Sequence, residues 1–274
     1  MSPAGLGAAS GRASDLLQRL VGESLAETAR RRLVTPEAAL ERELTAAPPV
    51  RSLSRALRRD RLALIAEMKR RTPTMGTLSD AYDPSERARV YAASGADAIS
   101  VLCQETSFGG DPAHVGLVRQ AAGAIPVLRK DFIVTEHQLL EARVLGGDAV
   151  LLIVAALSQP QLEQLLARTQ ALGMEALVEV HDERETERAL GAGATLLGVN
   201  HRDLVTFTVD LGLTERLRPR IPASHVVVAE SGVRDAGDAR RLRAAGADAV
   251  LVGEALMRTG DPAGLVRKLT GARS

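Results

Sequence analysis

The 274-residue chain is poor in several residue types, and each shortage argues against a class of protein. Its one cysteine, Cys103, allows neither an intrachain disulfide framework nor a cysteine-based metal site, and it fits a reducing, cytoplasmic setting. Tryptophan is absent and aromatic residues make up only 2%, which argues against stacking platforms for single-stranded nucleic acid. We also expect no membrane span and no signal peptide, because no apolar run reaches about 18 residues.

The chain has no excess of charge of either sign. Its 35 basic and 34 acidic residues give a formal net charge of +1, which provides no footprint for nucleic acid or for an anionic membrane. Any phosphate-binding site must therefore be local. Hydrophobic residues at 45% and charged residues at 25% are typical of a soluble globular protein with a substantial core.

From residue 62 onward, short apolar runs alternate with longer amphipathic stretches. Several runs begin with Gly-Ala-Asp or Gly-Gly-Asp, as in "GADAISVL" and "GGDAVLLI", and a glycine before an apolar strand is typical of an αβ loop. Eight runs are predicted as strands, at residues 62–68, 97–102, 126–130, 148–153, 175–180, 195–200, 225–230 and 248–253. They are apolar on both faces, which indicates a parallel sheet covered by helices.

Eight βα units in this length favour a closed (β/α)8 TIM barrel. The alternative is an open doubly wound sheet, which would bring a glycine-rich dinucleotide turn after its first strand, and "EMKRRTPTMG" is not such a turn. Residues 1–60 are predicted as a helical extension, with one helix capped by Thr35 and Pro36 in its first position. We expect this extension and the barrel at 61–274 to form a single domain overall. The extension would close the bottom or side of the barrel, or supply part of a binding wall.

Six of the eight predicted strands end in polar groups able to converge. The first strand gives Glu67 and Lys69, the third Lys130, the fifth Glu179, the sixth Asn200 and Arg202, the seventh Glu230 and Ser231, and the eighth Gly253 and Glu254. A single charged residue just past a strand is usually a solvated loop residue. Because the carboxyl ends of barrel strands form the active face, their joint placement indicates a site.

Within the stretch "IPVLRKDF", Lys130 is predicted to face this site, whereas Arg129 and Asp131 are expected to form outer-facing ion pairs. His181 and His201 are expected to make loop hydrogen bonds. No His, Asp and Glu set has metal-ligand spacing, so no metal is expected.

The loops after strands seven and eight are a plausible binding site for a phosphate group. Ser231 and Gly232 precede one predicted helix, and Gly253 lies directly at the start of another. Free backbone N–H groups at such positions bind phosphoryl groups in this fold. Lys69 and Arg202 could supply the positive charge.

The ordered motifs "IAEMKRRTPTMG", "PVLRKDF", "LVEVH", "GVNHRDL", "AESG" and "LVGEALM" resemble those of the indole-3-glycerol phosphate synthase family. The resemblance covers the chain from about residue 50 to the C-terminus. It implies ring closure of 1-(2-carboxyphenylamino)-1-deoxyribulose 5-phosphate, with loss of carbon dioxide and water. It implies a small phosphorylated substrate, no cofactor, and a monomer or weak homodimer.

The resemblance also implies residue roles. Lys130 looks like the general acid that protonates the substrate ketone, and Glu179 like the acid/base group of the dehydration. Support for the sugar hydroxyls and the proton network would come from Glu67, Asn200, Glu230 and Ser231. Phosphate binding would involve Lys69, Gly232, Gly253 and Glu254, with Arg202 near it. The anthranilate pocket would be lined by Phe108, Phe132, Leu151, Ile153, Leu204 and Phe207.

The chain departs from the family pattern at a few loop positions, which bear on substrate affinity and loop closure. The usual "SPSKG" is "TPTMG", so that Thr72 and Thr74 replace serines and Met75 replaces a lysine. Cys103 stands for a threonine, Ser107 for the first of two phenylalanines, and "NHRD" for "NNRD". None of these changes removes a proposed catalytic group.

Two other functions are open. A phosphoribosylanthranilate isomerase would require a cysteine at the end of the first strand, where this chain has Glu67. A catalytically silent binding protein on the same scaffold would be expected to lose its strand-end charges, and these are present.

Overall fold

The computed structural model describes residues 6–73, 76–79, 82–204 and 206–271, with side chains from residue 15 onward. Eight parallel strands form a closed barrel in which each strand pairs with its neighbours in chain order and the last pairs with the first. The strands are β1 Ala63–Met68, β2 Ala98–Leu102, β3 Val127–Lys130, β4 Ala149–Ile153, β5 Glu175–Val180, β6 Leu196–Asn200, β7 Val226–Glu230 and β8 Ala249–Val252. The predicted (β/α)8 barrel is confirmed, and each strand limit lies within one residue of its prediction.

Twelve α-helices lie in the part of the chain that the structure describes. Three precede the barrel: α1 Leu6–Val34, α2 Glu37–Glu43 and α3 Leu53–Leu57. The others are α4 Pro84–Ala93, α5 His114–Ala121, α6 Glu136–Val144, α7 Gln159–Ala171, α8 Glu183–Gly191, α9 Leu213–Leu217, α10 Ala236–Ala244, α11 Glu254–Arg258 and α12 Pro262–Thr270. Among the described helices, none combines the length and the apolar character needed to cross a membrane.

The repeated Gly-x-Asp entries have a structural reason. Gly146, before β4, has a φ of 85°, a left-handed conformation that glycine adopts at little cost when it ends a helix. Two residues later, Asp148 accepts the backbone N–H of Val127 on β3 at 2.8 Å. Asp248 before β8 accepts the N–H of Val227 on β7 at the same distance. These aspartates therefore fasten the start of one strand to its neighbour.

The barrel interior is filled by side chains from alternate strand positions. Ile65, Leu128 and Val228 are fully buried there. Leu53 and Leu57 of α3 belong to the same cluster and are also fully buried, so α3 closes the N-terminal end of the barrel. This core excludes water from the lower barrel, and the active face of such a barrel is at the opposite end, where the strands terminate.

Helix α1 lies beside that opposite end. Its buried Glu27 accepts hydrogen bonds from the backbone of Glu105 and Thr106, in the loop after β2, and from the side chain of Gln104. One expectation for this extension was wrong, because Pro36 rather than Thr35 is the N-cap of α2. Thr35 instead donates its N–H to Arg31, which extends the end of α1.

Candidate active site

A cavity of about 860 Å³ opens at the C-terminal ends of the strands. Sixteen of the seventeen predicted site residues line it: Glu67, Lys69, Phe108, Lys130, Phe132, Leu151, Ile153, Glu179, Asn200, Arg202, Leu204, Phe207, Ser231, Gly232, Gly253 and Glu254. The remaining residue, Glu230, is 1% exposed and lies under the floor. The structure therefore brings the predicted set together around one space.

Lys130 is at the centre of a cluster of carboxylates from three other strands. Its Nζ is 2.6 Å from Oε2 of Glu230, 3.7 Å from Oε2 of Glu179 and 3.8 Å from Oε1 of Glu67. Burial acts to lower the pKa of Lys130, but these three carboxylates raise the pKa above the ordinary lysine value. The side chain is thus an ammonium at neutral pH, held in place at the edge of the cavity.

A second ammonium stands beside the first. Nζ of Lys69 is 2.6 Å from Oε2 of Glu67, whose other oxygen faces Lys130. Burial acts to raise the pKa of Glu67, but the two lysines lower the pKa below the ordinary glutamate value. Glu67 is therefore a carboxylate that holds both lysines.

Glu230 differs from Glu67 in its protonation. Burial raises the pKa of Glu230 to about 7, because the opposing effect of Lys130 is smaller and Glu179 adds to the rise. Its Oε1 is buried and has no hydrogen-bond partner among the described residues. Glu230 can consequently gain or lose a proton near neutral pH.

Two glycines make room for these carboxylates, and sequence reasoning missed the first. A Cβ on Gly198, in the middle of β6, would collide with Oε1 of Glu230. A Cβ on Gly253 would likewise collide with Oε2 of Glu67. A glycine inside a strand often marks such a close approach, so the "LLGVN" run carried a usable signal.

Lysine use in this chain is a further signal that the sequence contained. Of its 35 basic residues only three are lysines, at positions 69, 130 and 268, and the rest are arginines. Two of the three lie in the cavity. An arginine stays charged under all ordinary conditions, whereas a lysine can release a proton, so a lysine in the cavity has an ability that the arginines lack.

The apolar side of the cavity holds all three phenylalanines of the chain. The rings of Phe108 and Phe132 lie 6.1 Å apart at an interplanar angle of 37°. Phe207, in the loop after β6, is 39% exposed at the mouth. Helix α1 adds three leucines that sequence reasoning did not assign to the site, Leu16, Leu17 and Leu20. Together these side chains form a wall suited to an aromatic ring.

The opposite side of the cavity carries basic side chains and the backbone of Ser231 and Gly232. Ser231 and Gly232 both have positive φ values, 66° and 87°, and for Ser231 this is an uncommon conformation. Arg202 lies 3.9 Å from Glu254, the first residue of α11. Arginines that the sequence analysis did not single out also line this side: Arg234, Arg241 and Arg258.

His201 holds the Ser231 loop in place. Its Nδ1 is 3.0 Å from the carbonyl oxygen of Ser231, so Nδ1 carries the proton and Nε2 accepts from the hydroxyl of Thr214 at 2.7 Å. Burial lowers the pKa of His201, which keeps the ring neutral. The predicted role of His201 as a loop hydrogen-bonder is confirmed, and the "NHRD" departure fits this geometry.

The other departures are accommodated without touching the charged cluster. Ser107 donates its hydroxyl to Glu23 of α1 at 2.7 Å. Cys103 is 1% exposed, and burial raises the pKa of its thiol, so it is an inert packed side chain. Thr72 lines the cavity, whereas Thr74 and Met75 lie outside the described residues.

The expected ion pair between Arg129 and Asp131 is present, with Nη2 and Oδ2 2.8 Å apart, and Asp131 also lines the cavity. Both side chains are buried rather than solvated, because α1 and α6 cover them.

Comparisons with known proteins agree with this geometry. The family model for indole-3-glycerol phosphate synthase matches residues 17–269. Indole-3-glycerol phosphate synthase 2 of Streptomyces coelicolor is 57% identical over 94% of this chain and all of the relative. Indole-3-glycerol phosphate synthase of Mycolicibacterium smegmatis is 48% identical over 94% of each chain.

Solved structures with lower identity share the fold alone. Thiamine phosphate pyrophosphorylase from Pyrococcus furiosus has a TM-score of 0.59 at 20% identity, covering 76% of this chain and 93% of the other. A 3-hexulose-6-phosphate synthase has a TM-score of 0.57 at 18% identity, covering 78% of this chain and all of the other. The chain belongs to the indole-3-glycerol phosphate synthase family, as its strand-end motifs predict, and is a carboxy-lyase acting on a phosphorylated small molecule.

Proposed function

We propose that Lys130 and Glu179 are the proton-transfer groups with which this enzyme converts 1-(2-carboxyphenylamino)-1-deoxyribulose 5-phosphate to indole-3-glycerol phosphate. The observation that carries the proposal is their convergence. Lys130 from β3 and Glu179 from β5 line one cavity, between an aromatic wall and a basic rim. A substrate with a benzoate at one end and a phosphate at the other fits that order of surfaces.

In the first step the ring carbon that bears the carboxylate attacks the substrate ketone. Negative charge develops on the ketone oxygen, and the ammonium of Lys130 neutralises it by donating a proton. The carboxylate then leaves as carbon dioxide, and its bonding electrons restore the aromatic ring. Glu67 and Glu230 support this step by fixing the ammonium within 3.8 Å and 2.6 Å respectively.

In the second step the new hydroxyl group leaves as water. Glu179 donates the proton to this hydroxyl, while a basic group removes a proton from the adjacent carbon to complete the indole. Asn200 and Ser231 line the same cavity and contribute hydrogen bonds to the sugar hydroxyls. The phosphate binds the backbone N–H groups of Gly232, Gly253 and Glu254, with charge from Lys69 and Arg202.

The benzoate ring occupies the apolar side of the cavity. The tilted Phe108 and Phe132 rings contact it from one side, since edge and offset contacts between rings are favourable. The floor comes from Leu151 and Ile153 of β4, and the mouth from Leu204 and Phe207 after β6.

The remaining features of the proposal concern setting and assembly. The reaction requires no cofactor and no metal, and the balanced net charge of +1 favours no nucleic acid partner. We propose a cytoplasmic enzyme that is a monomer or weak homodimer, with residues 1–60 and 61–274 forming one domain. Glu27 of α1 accepts a hydrogen bond from the loop after β2, which supports a single domain. We therefore expect one cooperative unfolding transition.

Turnover of the purified protein, followed by indole fluorescence, tests the function. The Lys130→Ala variant should lose about 10² to 10⁴ in rate, as expected for loss of a general acid. Lys268→Ala is the matched control, because Lys268 is exposed on α12 and should leave the rate unchanged. An inactive parent protein, or a Lys130→Ala variant as fast as its parent, would refute the proposal.

A further inference from the structure

The end of β5 holds a histidine that the proposed mechanism has not used. His181 follows Glu179 by two residues, so the alternation of a strand directs both side chains to the same side. Nε2 of His181 is 3.4 Å from Oε1 of Glu179. Its Nδ1 is 3.0 Å from Oε2 of Glu185 in the first turn of α8. The same Oε2 accepts the backbone N–H of His181 at 2.8 Å, which fixes the ring between two carboxylates.

This arrangement determines where the ring carries its protons. A carboxylate only accepts hydrogen bonds, so Nδ1 must carry the proton that it shares with Glu185. A neutral ring would then direct the lone pair of Nε2 at the carboxylate of Glu179, and Nε2 is buried without another partner among the described residues. A proton between Nε2 and Oε1 removes that repulsion. The geometry thus favours an imidazolium beside Glu179.

The charged groups that face His181 act in the same direction. Burial lowers the pKa of His181, but Glu185 on α8, Glu179 on β5 and Glu230 on β7 together raise the pKa above the ordinary histidine value. The ring is consequently protonated over a wider range of pH than an isolated histidine.

The reaction itself requires a proton from outside the substrate. The substrate carboxylate leaves as neutral carbon dioxide and one hydroxyl leaves as water. Two protons are donated, to the ketone and to the hydroxyl, and one is recovered from carbon, so each turnover takes up one proton. Glu179 lines the cavity, with its Oε2 3.7 Å from Nζ of Lys130. Because the proposed dehydration takes a proton from Glu179 in every turnover, Glu179 needs a proton source.

We propose, on the basis of the function proposed above, that His181 stores this proton and passes it to Glu179, with Glu185 as the positioning residue that fixes the ring. The Nε2 proton of the imidazolium moves to Oε1 of Glu179, and Glu179 gives a proton to the leaving hydroxyl. His181 is then neutral. Its Nδ1 keeps its own proton and donates it in a hydrogen bond to Glu185. When product leaves and water enters the open cavity, a new proton reaches the buried Nε2 through Glu179, which lines the cavity.

The first test is the His181→Ala variant, assayed for kcat and KM across pH with and without imidazole. We expect kcat to fall by about 10- to 100-fold, at or below the lower end of the range for lost acid–base catalysis, with KM nearly unchanged. Added imidazole should restore part of kcat by occupying the space of the missing ring. His225→Ala is the matched control, since His225 precedes β7 at the opposite end of the barrel and bonds Ser224. Its kcat should not respond to imidazole.

A Glu185→Gln variant tests the same proposal with little risk to folding, because the glutamine oxygen can still accept the backbone N–H of His181. Loss of the anion lowers the pKa of His181. Activity that depends on the imidazolium is lost as pH rises through this pKa, so the alkaline fall in kcat should move to lower pH.

Parent-like kcat in His181→Ala, or an unrescued loss together with an unmoved profile in Glu185→Gln, would overturn the storage role. An inactive parent protein would instead overturn the proposed function itself.

Discussion

Two consecutive residues of β3, Arg129 and Lys130, lie on opposite sides of the barrel wall, and each enters a buried group of charges. We call the group around Arg129 the outer cluster. Its guanidinium is 2.8 Å from Asp131 and 2.7 Å from Glu141, and Glu141 also accepts from Arg31 of α1 at 2.8 Å. Arg31 also pairs with Glu105, which Arg30 contacts as well, so the outer cluster has three arginines and three carboxylates and its charges are matched.

The inner cluster, around Lys130, is not matched. Its cations are Lys69, Lys130 and the imidazolium of His181 inferred above, and its four carboxyl groups are those of Glu67, Glu179, Glu185 and Glu230. The excess carboxyl group is accommodated by protonation, since burial raises the pKa of Glu230 to about 7. Matched charges of arginine fix a helix to the barrel, whereas unmatched charges built on lysine hold protons that can move.

The largest expected effects come from substituting the two neighbouring residues Arg129 and Lys130, because one change should lower stability and the other turnover. Arg129→Met leaves Asp131 buried without its cation, and breaking a buried pair in this way typically costs about 3–5 kcal/mol. We expect the free energy of unfolding in urea to fall by that amount, with kcat of the folded protein retained.

Lys130→Met is the matched counterpart and should give the reverse pattern. Carboxyl groups beside the cavity can take up protons when the ammonium is lost, so stability should change little while turnover is lost. If both variants lost mainly stability, or both mainly turnover, the distinction between the clusters would be wrong.

A second prediction concerns the pH dependence of stability. The raised pKa of Glu230, about 7, means that the folded protein keeps a proton that the unfolded chain releases near pH 4.5. The corresponding stability is fully present below pH 4.5 and is lost as pH rises through about 7. Relative to the parent, Glu230→Gln should therefore gain up to about 3 kcal/mol between these limits, because glutamine does not titrate.

Urea unfolding at pH 4.5 and pH 8 measures this gain. Glu163→Gln, on the exposed face of α7, is the control and should follow the parent at both values. A Glu230→Gln curve parallel to that of the parent would show that Glu230 holds no extra proton.

The barrel and most of the cavity residues could be predicted because their signals are local. A strand buried on both faces reads as an apolar run, and the Gly-x-Asp entries mark its start to within one residue. The carboxyl ends of the strands then place Lys130 and Glu179 on one rim without knowledge of any contact.

What could not be predicted depends on contacts between distant residues. Glu230 has the same strand-end position as Glu179, yet it lies beneath the floor because Gly198 leaves space there. The apolar face of α1 was visible in the sequence, but periodicity does not identify which surface that face covers. For the same reason the burial of Arg129 beneath α6 was not foreseen, since a charged residue alone predicts exposure.

The smallest expected effect comes from charges that neither cluster buries. Glu254, 37% exposed at the rim, is 3.9 Å from Arg202 and 3.2 Å from Arg258. Exposed pairs of this kind contribute roughly 0–1 kcal/mol, so Glu254→Gln should barely change stability. The same change removes a negative charge that lies beside the proposed phosphate-binding loops and beside both arginines. We expect KM to fall by about two- to fivefold at low salt, and the fall to shrink as salt screens the rim.

Glu187→Gln is the control for this last change, because Glu187 forms a more exposed pair with Arg220 away from the cavity, at 3.3 Å. It should alter neither KM nor its dependence on salt. A rise in KM for Glu254→Gln would mean that the carboxylate itself helps to hold the substrate, for example by fixing Arg202. The rim would then resemble the outer cluster, in which an anion is needed to keep an arginine in place, and exposure alone would not separate structural charges from functional ones.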